Sequence, residues 1–401
     1  MTTTVAEAGG ACCARYTFRL RVSSTARGLL LAEWDRCRWV WNECVARSKK
    51  AFREGHKCGP ATLDRMLTAA RAATPWLAAG SSVPQQQTVR DFGTSRARAL
   101  KDTREQVPAQ RRAGMPRHKK KRESDPTLNY TRRGFRFKHG RLHLAGGIVL
   151  CVVWSRDLPA TPSSVRVYRD SLGHWYASFV VRGQAQPLPK TGAVIGVDWG
   201  VRETATTTSD AHDLPYAGHG ETAHTKVSRY DRMMARRKPA RGKAASKGYR
   251  EAKRLRAKTY AKAARKRQDT ARKWAKKVVR DHDAIAVEDF HPKFLARTGM
   301  GRKAADAAIG ATKAALIEMG RKHGRDVRLV HPAHTTMDCA RCGARAKHAL
   351  PLSERTYTCT ACGAVSPRDK NSARVMLVRA GLAPAGVEGA RPPGAPLQEA
   401  A

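Results

Sequence analysis

The chain is short of acids, aromatics and long apolar runs. It sets only 33 Asp+Glu against 77 Lys+Arg, a formal net charge of +44. A globule with that surplus repels itself unless a polyanion lies against it, which makes nucleic acid the economical partner. The surplus exceeds what a short duplex footprint needs, so a second bound strand such as a structured RNA is expected as well. Aromatic content is 6%, too little to furnish the apolar face of a membrane-surface helix, and that reading ranks below nucleic acid. No stretch reaches the roughly eighteen apolar residues of a bilayer span. The first fourteen residues lack a charged segment followed by an apolar one, so a cytosolic, nucleoid-associated location is expected. Cys12, Cys13, Cys37, Cys44, Cys58 and Cys151 follow no regular spacing. That speaks against a disulfide framework and for free thiols in a reducing compartment.

What is present suggests two or three domains of mixed α+β and α/β type, for 401 residues at 41% hydrophobic content can build real cores. Arg15 to Val22 alternates apolar and basic residues and reads as a strand; residues 26–52 carry a helical stripe of Leu29, Leu30, Trp34, Cys37, Trp41 and Cys44. Helices are expected again over 61–73 and 85–101, giving a helical lobe. A Lys/Arg-rich run at 111–122 precedes short alternating segments at 135–137, 142–144, 148–153, 165–168 and 175–181, which suggest a small barrel. Residues 226–282 are dense in Lys and Arg against only Asp231, Glu251, Asp269 and Asp281. Long helices with a positive face are expected there, lining a phosphate-binding channel, with Arg254, Arg256, Arg265 and Lys266 as candidate contacts; a merely solubilising helical pair is the alternative. The end of the chain turns to Ala, Gly and Pro, and a disordered tail is expected over 381–401.

Two sets of residues carry chemistry. Cys339-x-x-Cys342 and Cys359-x-x-Cys362 are two knuckle pairs whose thiolates can close a tetrahedron around one structural zinc ion. Asp198 ends the apolar run Ala193-Val-Ile-Gly-Val, Glu288 ends Ala284-Ile-Ala-Val, and Asp369 stands where a helix begins. Phosphodiester hydrolysis needs an activated water, a stabilised leaving oxygen and neutralised phosphate charge. Two divalent ions held by hard carboxylate oxygens supply all three. Asp198 is expected to bridge both ions, with Glu288 and Asp369 each completing one side. Asp289 should face away from Glu288, and Asp338 reads as an exposed loop residue.

The ordered set Tyr16-Thr-Phe-Arg-Leu, Gly114-Met-Pro-Arg117, Trp175-Tyr-Ala-Ser-Phe179, Gly196-Val-Asp198-Trp-Gly200, Arg267-Gln-Asp269, Val287-Glu288-Asp, His331-Pro, the Cys pairs and Asp369-x-Asn371 resembles the TnpB (OrfB) family of insertion-sequence transposons, related to compact type V CRISPR effectors. The resemblance implies a mobile-element DNA endonuclease guided by a transposon-derived RNA. It would read a short motif beside double-stranded target DNA and cut through an RNase H-like (RuvC) domain with magnesium. Asp198, Glu288 and Asp369 fall on the family's catalytic positions. The implied domains are a disordered N-terminus at 1–14, a β-barrel wedge domain split over 15–25 and 111–190 around a helical recognition lobe at 26–110, a RuvC-like core at 191–335 and 367–380, and the zinc ribbon inserted at 336–366. The protein would act as a monomer or dimer. The competing expectations are a type V CRISPR effector, a guided repressor that does not cut, and a DNA-joining transposase.

Overall fold

The structure is a computed structural model that describes residues 2–6, 11–109, 112–121, 123–184, 186–240, 242–290, 299–348, 350–351 and 353–382. The chain divides into two compact units, one formed by Met1–Cys12 with Gln184–Ala401, the other by Cys13–Gly183. In chain order, strands β1 (Thr2–Ala6) and β2 (Ala11–Arg21) precede helices α1 (Ser24–Arg53), α2 (Pro60–Ala73), α3 (Pro75–Ala78) and α4 (Ser82–Arg104). Strands β3 (Thr127–Thr131), β4 (Phe135–Lys138), β5 (Arg141–Leu144), β6 (Ile148–Val153), β7 (Pro162–Arg169) and β8 (Trp175–Gln184) follow.

In the unit of residues 13–183 the strands form one sheet in the order β3-β7-β8-β2-β6-β5-β4. Along β6, Ile148, Leu150 and Val152 are buried while Val149, Cys151 and Val153 are exposed, the period of two that a one-sided sheet requires. Among the described residues no ladder joins β3 to β4, so hydrogen bonding does not close the barrel expected from the sequence. The sheet curls instead, with the Phe137 ring of β4 lying 5.5 Å from that of Phe179 on β8.

Helix α1 begins at Ser23, whose hydroxyl accepts from the Ala26 N–H. Its first half buries Ala26, Leu30, Trp34 and Cys37 against the sheet. Its second half buries Val40, Cys44 and Val45 against Leu63 and Leu67 of α2, Leu77 of α3 and Val89 and Phe92 of α4. One helix thus belongs to two cores, and the expected boundary between barrel and helical lobe at 25/26 falls inside a shared element. The basic run, largely exposed, is anchored to α1 at Lys119. Asn42 of α1 accepts from the Lys119 N–H at 2.7 Å and donates to its carbonyl at 3.1 Å. The Lys119 ammonium also lies 3.8 Å from the centre of the Trp41 ring.

The other unit holds β9 (Val194–Trp199), β10 (Glu203–Thr207), β11 (Leu214–Pro215), α5 (Glu221–Arg236), α6 (Lys247–Asp281), β12 (Ala284–Glu288), α7 (Gly301–Ala307), α8 (Ile309–Lys322), β13 (Asp326–Val330), β14 (Thr356–Thr358), β15 (Val365–Pro367) and α9 (Arg368–Arg379). Its main sheet runs β1-β13-β12-β9-β10-β11. Strands β9, β12 and β13 are mutually parallel, while β10 is antiparallel to β9 and to β11. The near-continuous apolar runs of β9 and β12 suit central strands covered on both faces. Ile195, Val197, Trp199, Ile285 and Val287 face Ala271, Trp274, Ala275, Val278 and Val279 of α6 and Leu316 of α8. On the opposite face Ala286 and Val330 meet Met376, Leu377 and Ala380 of α9. Asp306 of α7 ties this helical layer together: it accepts from the Arg267 Nε at 2.7 Å, the Tyr216 hydroxyl at 2.9 Å and the Gly220 N–H at 2.6 Å.

Three domain expectations change. Thr2–Ala6, expected within a disordered 1–14, pairs antiparallel with β13, whose free edge offers unpaired backbone groups. Residues 186–190, expected in the wedge domain, join the second unit: the Gln186 N–H donates to the Lys322 carbonyl at 2.8 Å, and Arg325 donates to the Pro189 carbonyl at 2.9 Å. Of the expected tail, residues 383–401 lie outside the described residues, and Leu382 packs beside Leu377. Among the described residues no helix is long and apolar enough to cross a membrane.

Candidate nuclease and zinc centre

Asp198 and Glu288 stand at the C-terminal ends of neighbouring parallel strands in matching register, each directly after the pair Val197 and Val287. Both side chains therefore leave the sheet on the same face, the face covered by α9. A Cβ added at Gly196 would stand 2.0 Å from the Ala373 carbonyl oxygen, so only glycine lets α9 lie this close to β9. Gly196 and Asp198 share one strand face, and Ala373 and Asp369 share one helix face four residues apart. The contact at Gly196 thereby brings Asp369, in the first turn of α9, toward Asp198. The sequence showed Gly196 only as part of a family landmark; a glycine inside an apolar strand was the signal for this close approach.

The electrostatics report the convergence. Asp198 is 9% exposed and Glu288 6%. Burial, then the negative charges of Glu288 and Asp369, hold the Asp198 carboxyl well above its ordinary range. Burial pushes Glu288 up to about 7, against the lowering effects of a Trp199 hydrogen bond, the Lys313 charge and a hydrogen bond with Asp198. So much uncompensated acid in a buried cluster suits a hard divalent cation, and the carboxylate oxygens are the donors such an ion prefers. Asp369, with 39% of its side chain exposed, faces Arg355 at 3.7 Å. The Trp199 indole N–H donates to the Glu288 carbonyl at 3.0 Å and fixes the end of β12. Asp289 turns to the other face and pairs with Lys313 at 2.8 Å, as strand alternation requires.

The four cysteines form a compact cluster, with all Sγ atoms within 4.8 Å of one another. Cys339 and Cys362 are 3.8 Å apart and Cys342 and Cys359 3.6 Å. Disulfide sulfurs stand at about 2.05 Å, whereas zinc–sulfur bonds of about 2.3 Å in a tetrahedron leave sulfurs nearly 4 Å apart. Each knuckle repeats one turn. Gly343 and Gly363 adopt φ of 76° and 65° and donate back to the Cys339 and Cys359 carbonyls. Asn371 of α9 binds this ribbon from both sides, accepting from the Ala340 N–H at 3.1 Å and donating to the Asp338 carbonyl at 2.8 Å. Asp338, expected to be an exposed loop residue, is buried: Arg345 donates to it at 2.6 Å, and Arg379 pairs with it too.

The candidate phosphate contacts lie on α6. Arg254 pairs with Glu251 at 2.7 Å and Arg256 with Asp231 of α5 at 2.5 Å, while Arg265 and Lys266 are exposed.

Comparison with known proteins agrees with this architecture. Residues 176–296 match the family OrfB_IS605, described as "Probable transposase", and residues 310–376 match the Cas12f1-like TNB domain. The chain is 31% identical over 317 residues to the "Putative RNA-guided DNA endonuclease" of Streptomyces pristinaespiralis, spanning 78% of this chain and 75% of that protein. It is 26% identical over 369 residues to the "Putative RNA-guided DNA endonuclease InsQ" of Escherichia coli K12, spanning 85% of this chain and 86% of the relative. In fold it resembles the Cas12f1 chain of a cryo-EM complex with sgRNA and target DNA, with a TM-score of 0.50 at 12% identity, covering 91% of this chain and 98% of that one. The two matched segments, and the extent and level of identity to the Streptomyces protein, show that this chain belongs to the OrfB (TnpB) family.

Proposed function

We propose that the protein is an RNA-guided, Mg2+-dependent DNA endonuclease of a mobile element, cutting double-stranded target DNA beside a short motif that the protein reads. The observation that carries the reading is the placement of Asp198 and Glu288 on the sheet face that α9 covers, with Asp369 brought toward them: both strand carboxyls are buried and raised by that burial, and the charges of Glu288 and Asp369 raise Asp198 further. The strand arrangement supports an RNase H-like (RuvC) core: three antiparallel strands, β11-β10-β9, continue into two parallel ones, β12 and β13. The names of the relatives supply the RNA guide and the DNA target, and the curled sheet and helices of residues 13–183 are the counterpart of the wedge domain and recognition lobe.

Asp198, Glu288 and Asp369 would hold the magnesium, and Cys339, Cys342, Cys359 and Cys362 one structural zinc. Magnesium, when bound, supplies the charge that lowers the pKa of an attacking water and steadies the leaving oxygen. The chain's own part is to present three carboxylates on rigid elements, with α9 covering Asp198 and Glu288 and the Trp199 indole fixing the end of β12 from the opposite face. The zinc ribbon anchors the first turns of α9, and with them Asp369, through Asn371. The basic face of α5 and α6 would follow nucleic-acid phosphates.

The test is plasmid cleavage by the protein purified with its co-expressed flanking RNA in Mg2+, beside Asp198→Ala. Guide-dependent cutting that disappears in the variant is expected. Tight guided binding with no cutting in the wild type would replace the nuclease with a guided repressor.

A further inference from the structure

Lys370 follows Asp369 directly, and on a helix the two side chains point about 100° apart. While the charge of Asp369 acts on Asp198, Lys370 reaches the connection from β10 to β11. Its ammonium donates to the Thr207 carbonyl at 2.9 Å and to Asp213 at 2.7 Å, and pairs with Asp210 at 2.6 Å. The side chain is only 14% exposed. Asp213 is itself fixed, accepting from the Thr207 N–H at 2.7 Å and from its hydroxyl. Thr207 pairs with Val197 and the preceding Thr206 with Asp198 across the β9–β10 ladder. Lys370 therefore joins the first turn of α9 to the backbone that flanks Asp198, and no other side chain on that turn makes such a joint among the described residues.

We propose that Lys370 is a positioning residue for the metal site: it sets the rotation and depth of the first turn of α9, and so the separation of Asp369 from Asp198. A lysine suits this task because it spans to a carbonyl and two carboxylates at once with three donors. Asp213 and Asp210 balance its charge, so it orients Asp369 without repelling a cation. This inference rests on the reading of Asp198 and Asp369 as metal ligands. A group that orients a ligand is worth about 10- to 100-fold in metal affinity in known sites.

The experiment is Mn2+ titration of the full-length, RNA-free chain followed by electron paramagnetic resonance, comparing wild type, Asp198→Ala, Lys370→Met and Asp213→Asn. Zinc content and melting temperature are measured in parallel. Lys370→Met keeps the stem and removes the donors. It is expected to weaken Mn2+ binding roughly tenfold with zinc content unchanged, and in the RNA-loaded protein to raise the Mg2+ needed for half-maximal cleavage while leaving target binding as it was. Asp213→Asn, which keeps Lys370 on Thr207 and Asp210, should shift the Mn2+ midpoint in the same direction by less. If Lys370→Met binds Mn2+ as tightly as wild type or more tightly, Lys370 is only a surface charge near the site and the inference falls. If that variant does not fold, the Asp213→Asn titration decides: an unchanged midpoint overturns the proposal. Should Asp198→Ala bind Mn2+ as wild type does, the metal-site reading itself falls and takes Lys370 with it, an outcome distinct from loss of the Lys370 effect alone.

Discussion

One carboxyl and one glycine decide most at the level of single residues. Glu288, ordinarily near 4.5, stands at about 7 in the folded chain. The metal-free native state therefore holds a proton that the unfolded chain has released over that interval. The associated stability is fully present below about pH 4.5 and is lost as the pH rises through about 7. Metal-free protein should accordingly melt at a lower temperature near pH 8 than near pH 6, and Glu288→Gln should flatten the difference. Mg2+ binds the ionised carboxylates and should raise the melting temperature more at the higher pH; equal Mg2+ shifts at both values in calorimetry would contradict a metal site at Glu288. Gly196 gives a second prediction. Gly196→Ala drives a Cβ into the Ala373 carbonyl, a backbone atom that cannot swing aside. A loss of about 1–3 kcal/mol in denaturant unfolding is expected, together with slower cleavage as α9 is lifted. Unimpaired cleavage and stability would mean that α9 does not need this contact.

Among the elements, helix α9 and the zinc ribbon act as one piece. The ribbon offers little apolar core of its own, with Tyr357, Cys339 and Cys359 as its buried centre, so metal has to supply what packing does not. Cys359→Ser should lower zinc content and folded yield together. Asn371→Ala strands the Ala340 N–H and the Asp338 carbonyl, a loss of about 1–3 kcal/mol, and should speed zinc release to a chelator while Asp369 remains in the sequence. Retention of zinc and full stability in Cys359→Ser would reject the four-cysteine site. These couplings were only half visible in the chain. The doubled Cys-x-x-Cys-Gly-Ala pattern announces the knuckles, because thiol spacing and a left-handed glycine are local demands. That Asn371 clamps the first knuckle to α9 depends on two segments meeting in space, and no local pattern encodes it.

Across the whole molecule the +44 charge is the dominant fact, and α6 holds much of it. Replacing Arg254, Arg256, Arg265 and Lys266 with Gln should weaken RNA or heteroduplex binding and flatten its dependence on salt. Each side chain that touches a phosphate contributes about 0.7 to 0.9 to the slope of log K against log salt. Arg254 and Arg256 already pair with Glu251 and Asp231, but exposed pairs are weak and yield readily to phosphate. A slope identical to wild type would put the nucleic acid on another face.

The sequence alone determined the charge surplus that calls for a polyanion, the doubled cysteine spacing and the acids that close the apolar runs, since these are properties of the chain before it folds. Tertiary structure decided the rest. It placed Thr2–Ala6 on a sheet edge, shared α1 between two cores, buried Asp338 and joined Lys370 to the strand beside Asp198. Each of these depends on which distant backbone groups come to lie within a few ångströms, and that is settled by packing and strand pairing over the entire unit.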